Sequence, residues 1–349
     1  MIVVRFTSGL GNQMFQYSFY HFLKELYKDT PVLADLTWFY ANNDHHGYEL
    51  QRIFGAVKDT DFSIEEATIG QLFKATGLIQ NMIKPKDMIT GSKSDSSDLV
   101  CGRHSLKQAK LFEKLRRYPN RVIREFTQEG RRPYIIDQLD GKINNLDVRL
   151  SDGTISNEMY NKVTSLDTTK DWYITGFWIE EKYLINRIDE VRRHFIFPEF
   201  TDDVNKALLE RIAGSNSVSI HVRRGDYLSA TYENMFVTLG STYYKNAVSY
   251  INERVGDCEY YIFSDDVDFV NKEFDWLKNK TVVTNNLGND SFRDMQLMSL
   301  CKHNIIANST FSQWGALLNK NNGHITVYPA TYLSDRDNEE KMMAGWVRI

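Results

Sequence analysis

Residues 2–6, Ile-Val-Val-Arg-Phe, form a short apolar run that predicts a buried strand. A polar stretch, Thr7-Ser8-Gly9-Leu10-Gly11-Asn12, follows, and then Met14, Phe15, Phe19, Phe22, Leu23 and Leu26 recur at helical spacing. Residues 31–36 predict the next strand. Strand, helix and strand in that order favour an α/β fold with a parallel sheet. The middle is less regular: 91–98 reads as a polar surface loop, 105–118 as a basic amphipathic helix, 171–178 as a strand and 180–194 as a helix. Beyond Phe197-Pro198 the alternation is cleaner. Thr201 predicts the cap of a helix running to Gly214, before a strand at 217–223 and a helix capped by Ser241. Strands at 260–264 and 282–283 come next, then a capping-box pattern from Ser291 to Asp294 opening a helix. A strand at 304–307, a helix from about Ser312 and a strand at 324–328 complete the set. This pattern divides the chain into an N-terminal α/β domain, 1–195, and a second α/β domain, 196–330, with 331–349 expected to pack back on the first.

Length and composition agree with that division. At 349 residues the chain exceeds one ordinary core, and 42% hydrophobic with 25% charged residues is normal for a globular protein. A net charge of −4 gives no general attraction to nucleic acid. The charge is uneven: 103–132 holds ten Lys or Arg against three acids. A basic helix at 105–118 offers a peripheral contact to anionic lipid, although a solvated helix face explains it at least as well. Three scattered cysteines, Cys101, Cys258 and Cys301, fit reduced thiols. Neither a signal peptide nor a membrane span is legible, so the expectation is a cytoplasmic protein, at most peripheral on the inner face of the membrane.

The chemistry concentrates where predicted strands stop. In Ser217-Val-Ser-Ile-His221-Val-Arg223-Arg224-Gly-Asp226-Tyr227, His221 and Arg223 share one strand face before the break at Gly225. In open α/β sheets ligands bind beyond the carboxyl ends of strands, and paired arginines there suit a diphosphate. On charge pattern alone a surface ion pair is equally good. The strand at 304–307 stops at Asn308-Ser309-Thr310-Phe311-Ser312, where a helix start makes an anion site or merely a cap. Tyr260-Tyr-Ile-Phe-Ser264-Asp265-Asp266 ends in acceptors able to meet a ribose or a base edge. Asp266-Val-Asp268 matches a metal-binding DxD, but dipole-favoured acids at a helix start explain it better. The first loop, with Asp35 ending the next strand, falls short of a dinucleotide fingerprint because the third glycine is Met14. No metal set is legible, since His45-His46 lack a ligand partner at helical spacing.

Together these segments resemble the bacterial-type α-1,2-fucosyltransferase family. The matching stretches are Ser8-Gly-Leu-Gly-Asn-Gln-Met-Phe-Gln-Tyr17, Gly47-Tyr-Glu-Leu50, Gly176-Phe-Trp178 with Glu181-Lys-Tyr183, His221–Tyr227, and the run from Asp294 to Ser312. The resemblance implies a GT-B-like pair of Rossmann-type parallel-sheet domains facing a cleft, GDP-L-fucose as donor, inversion, and no cofactor or metal. It implies a galactose-terminated oligosaccharide acceptor, lipid-linked or free. Carried onto this chain, it gives Arg223 the diphosphate, with Arg224 and Asp226 in support and Asp226 a candidate base. His221 and Asp265 face the nucleotide, Ser309, Thr310 and Phe311 close around phosphate and base, and Asn12 stands on the opposite wall. Glu49 and Trp178 are acceptor-side candidates, with Glu49 the other candidate base. Thr7-Ser8-Gly9, Gln313 and Ile179 depart from the family pattern, and a nucleotide-sugar sensor without transferase activity is the alternative.

Overall fold

A computed structural model describes residues 1–42, 45–76, 106–117, 135–137, 158–184, 187–228, 236–332 and 343–349, so the loop expected at 91–98 and Cys101 lie outside it. The chain divides into two units, Met1–Ile196 and Phe197–Ile349. In the first, the opening apolar run becomes β1 (Ile2–Arg5), set between β2 (Val32–Asp35) and β4 (Trp172–Thr175). A fourth strand, β3 (Ile135–Asp137), pairs with β4, and all the pairings are parallel. β1 and β2 are buried throughout, which is why their sequences run apolar instead of alternating. The helix Leu10–Leu26 turns Met14, Tyr17, Phe19 and Leu23 into the interior.

The basic helix spans Leu106–Arg117. Ala109 and Phe112 are buried, with Phe112 edge-on to Phe73 at 5.5 Å, while Lys107, Lys110 and Lys114 stay exposed. The described part of its apolar side is thus taken by the core of its own unit, while its described lysines face outward. Among the described residues no helix is long and apolar enough to cross a membrane.

The second unit is a six-stranded parallel sheet of order β10-β9-β8-β5-β6-β7. Its strands are β5 (Ser217–Val222), β6 (Glu259–Ser264), β7 (Lys280–Val283), β8 (His303–Ile305), β9 (Thr326–Tyr328) and β10 (Val347–Arg348). Val218, Ile220 and Val222 of β5 join Tyr244, Ala247 and Ile251 of the helix Ser241–Val255 in one core. Burial stabilises by about 1.5–3 kcal/mol for each such aliphatic side chain. Because all six strands are parallel, the polar residues that stop β5, β6 and β8 emerge at one end of the sheet.

Several local expectations change. Of the segment expected to pack back on the first domain, Val347–Arg348 forms β10, whose backbone pairs with β9 and extends the second sheet. Asp202, not Thr201, caps the helix Asp203–Gly214 by accepting from the Asn205 N–H. Ser241 is the first helical residue and Gly240 stands at the cap. Ser291 is already helical in backbone and makes no capping bond, which dissolves the capping box. The helix expected at 180–194 resolves into a 3-10 turn, Glu181–Tyr183, and a helix, Ile188–His194.

Candidate active site

β5 lies between β8 and β6, with Ile220 paired to Ile305 and Val222 to Ser264. This register carries the arginines past the strand end directly beside Asp265 and Asp266. Arg223 Nη1 stands 2.8 Å from Asp265 Oδ2, and the Arg224 backbone N–H donates to Asp265 Oδ1 at 2.9 Å. Arg224 Nε donates to Asp266 Oδ2 at 3.1 Å, and its guanidinium lies 3.7 Å from the Phe269 ring centroid. Asp266 also caps the helix Val267–Glu273, accepting from the Phe269 N–H. The acids of the apparent DxD are therefore helix-start residues. Gly225 keeps this approach uncrowded, since a Cβ there would lie 3.0 Å from Asp265 Oδ2 and press on the carboxylate that holds Arg223.

The Arg223–Asp265 pair is 29% and 26% exposed. Pairs with that access to water contribute at most about 1 kcal/mol. Such a pair is weak enough to exchange for another anion, and a guanidinium can meet a phosphate bidentately. Asp265 is then best read as the group that aims the guanidinium.

His221 is buried, and burial followed by the neighbouring Arg223 charge lowers its pKa to about 3. It is a neutral imidazole whose Nδ1 has no partner among the described residues, and its ring lies 5.8 Å from Phe311. Phe311 belongs to the helix Thr310–Leu317, which follows β8 after the turn at Asn308 and Ser309. The first N–H groups of a helix have no intrahelical acceptor, and the dipole adds positive potential there. Arg223, Arg224, His221, Asp265, Ser309, Thr310 and Phe311 thus come from adjacent strand ends of one sheet. Asp226 begins a short 3-10 turn, Asp226–Leu228, but its side chain lies outside the described residues.

Asn12 and Glu49 form a separate constellation in the first unit. Ser8 takes φ +69°, a left-handed backbone that favours glycine, at one of the positions where the chain departs from the expected Gly pair. Asn12 lies in the first turn of Leu10–Leu26 and is half-buried. Gln13 Nε2 donates to Ser8 O and Gly47 O, each at 2.8 Å, and Gln13 Oε1 accepts from the Glu49 N–H at 2.9 Å. Glu49 is buried, and its carboxylate meets Arg52 Nη2 at 3.0 Å and the Leu10 backbone N–H. Burial, opposed by those two contacts, pushes its pKa up to about 7. Trp178, expected on the acceptor side, is a core residue: it is 1% exposed and lies flat on Phe19, centroids 3.8 Å apart.

Sequence reasoning missed two clusters. His21, Glu190 and His194 bring ligand atoms within 4.8 Å of one another. Arg187 Nη2, however, lies 3.0 Å from His21 Nδ1 and 3.1 Å from Glu190 Oε1, so a guanidinium already fills the cation position. The other cluster gathers Arg5, Asp35, Glu113 and Tyr173, all buried. Long-range contacts bring His21 to Glu190 and His194, and Arg5 to Glu113 and Tyr173.

The Glycosyl transferase family 11 model matches residues 147–349, a span that holds the whole arginine segment and the turn at Ser309. The O-antigen biosynthesis glycosyltransferase WbnK of Escherichia coli is 26% identical over 98% of this chain and 98% of its own. An α-1,2-colitosyltransferase of Escherichia coli is 25% identical over 100% of this chain and 99% of its own. Galactoside α-(1,2)-fucosyltransferase 1 of Lagothrix lagotricha is 24% identical over 46% of this chain and 45% of its own.

Proposed function

The chain belongs to glycosyl transferase family 11, and from that membership we propose that it transfers L-fucose from GDP-β-L-fucose to the 2-hydroxyl of a terminal β-galactoside, with inversion. The observation that carries this reading is Arg223, aimed by Asp265 yet open to water, with the start of the helix Thr310–Leu317, where Ser309 makes no capping bond, following the neighbouring strand. As the fucosyl bond breaks, negative charge gathers on the β-phosphate. Arg223 and the helix end supply the compensating field without a metal, and preorganised groups of this kind give the largest catalytic term in many enzymes.

Inversion brings the acceptor hydroxyl to the face opposite GDP, where a base assists its loss of a proton. Glu49 suits that task because its pKa of about 7 leaves it half-ionised near neutrality. This assignment predicts a rate that falls as the pH drops below about 7, with that limb abolished in Glu49→Gln. A Glu49→Gln enzyme that kept the limb would pass the role to Asp226.

The acceptor in this reading is a galactose-terminated oligosaccharide, lipid-linked or free, in keeping with relatives named for O-antigen biosynthesis and for galactosides. A colitosyl donor is the second reading, carried by the full-length likeness to a colitosyltransferase. The decisive measurement is GDP release from GDP-fucose with EDTA present, across galactosides including lactose and N-acetyllactosamine. Acceptor-dependent release is expected. GDP-fucose binding without release under any acceptor would leave a sensor, and faster release from the colitosyl nucleotide would change the donor.

A further inference from the structure

Ser309 occupies the cap position of the helix Thr310–Leu317, yet its side chain makes no capping bond. The group that meets this helix start is Tyr332, fourteen residues beyond Leu318 in no motif legible from the sequence. Its hydroxyl donates to Ala307 O at 3.2 Å and accepts from Gln313 Nε2 and from the Ser309 backbone N–H. A phenol has one proton and two lone pairs, so these three bonds saturate it. The Tyr332 backbone carbonyl accepts in turn from Asn308 Nδ2 at 3.0 Å and from the Val237 N–H at 3.3 Å. Asn308 Nδ2 also reaches Val237 O at 2.7 Å, and the Asn308 carbonyl accepts from the Tyr227 hydroxyl at 2.7 Å. Tyr227 lies four residues after Arg223. One residue therefore ties the turn at 307–313 to itself and, through Asn308, to the arginine segment.

We propose that Tyr332 is a positioning residue that caps the helix start from outside, holding the turn at 307–313 in register with Arg223 while leaving the helix N–H groups free for the donor β-phosphate. The alternative cap shows why this matters. A capping side chain accepts from the second or third N–H of the helix, here Phe311 or Ser312, and would remove a donor that an anion needs. Capping by Tyr332 engages Ala307, Ser309 and Gln313 and spares both. It also accounts for Gln313, which departs from the family pattern and supplies the amide that orients the tyrosine hydroxyl.

The inference rests on the GDP-sugar reading, and comparing two nucleotides separates the two. Calorimetry of the full chain with GDP and with GMP isolates the β-phosphate. Tyr332→Phe keeps the ring and removes the hydroxyl; it should weaken GDP about tenfold, the scale of one oriented hydrogen bond, with GMP within about twofold and Tm lower by only about 2–4 °C. Gln313→Leu should act in the same direction, and the double variant should be no worse than Tyr332→Phe alone, as expected of coupled neighbours. Should Tyr332→Phe not fold, Gln313→Leu carries the comparison. Wild-type GDP affinity in both variants, or equal loss of both nucleotides with a larger fall in Tm, overturns the role. A wild-type chain that binds neither nucleotide brings down the GDP-sugar reading itself.

Discussion

Each unit has a central strand that delivers an arginine to carboxylates, and the two arginines have opposite fates. At the end of β1, Arg5 meets both oxygens of Glu113 at 2.7 and 2.8 Å, Asp35 at 3.3 Å and the Tyr173 hydroxyl at 3.2 Å. Asp35 accepts further from the Tyr173 hydroxyl at 2.6 Å and the Thr37 N–H at 2.9 Å. None of Arg5, Asp35 and Glu113 is more than 3% exposed at the side chain. Just beyond β5, Arg223 has a comparable carboxylate but keeps about a quarter of its surface in water. The residue types are the same; saturation and burial decide that the first cluster is structural and the second can take a ligand. Asp35, which ends the strand after the incomplete dinucleotide fingerprint, is engaged within its own unit.

That contrast can be broken by experiment. Glu113→Ala should cost the most, about 3–5 kcal/mol, because it leaves Arg5 buried with one carboxylate fewer. Thermal or urea unfolding measures it, and an unchanged Tm would mean the network is not sealed. Next comes Arg223→Ala, expected to lose about 10²-fold in turnover or more, with stability close to wild type. Full activity there, or a loss of stability on the Glu113 scale, would erase the distinction between the two arginines.

The smallest effect concerns Asp294, half-buried beside the buried Asn286, whose Nδ2 donates to it at 2.8 Å. Burial, opposed by that bond, raises its pKa to about 7 from 3.8. The folded chain therefore holds a proton that the unfolded chain has released, and the stability this gives, present below about pH 4, fades as the pH rises towards 7. Asp294→Asn should flatten the dependence of Tm on pH across that window. An undiminished slope would assign it elsewhere.

Much of this was legible in the sequence because it is local. The opening strand–helix–strand unit, the alternation after Pro198 and the arginine segment at a strand end each depend on neighbours within a few residues. The pairing of Arg223 with Asp265 was not legible, since it depends on the register between β5 and β6. Trp178 carried an aromatic signal that suits a sugar face and a core equally, and packing against Phe19 decided for the core. Ser291 and Asp294 had capping-box spacing, but Asn286 claimed the acid and the serine backbone turned helical first. Tyr332 gave no signal at all, because the partners of its hydroxyl lie 19 positions away at Gln313 and 25 at Ala307.

The parallel order of the first sheet also bears on how the chain assembles. β1 gains β2 as a neighbour once about 35 residues exist, but its other neighbour, β4, is made only at residue 172. Until then one side of β1 is an open edge, and Arg5 lacks Tyr173. A strand with an unpaired flank buries late, because its unmatched backbone groups oppose it. The first unit to be synthesised is thus slow to close by topology, since loop closure over that distance precedes its reward. The second unit draws its arginine partners from only 41 or 42 residues away, and its ion pairs can form as soon as β6 follows β5.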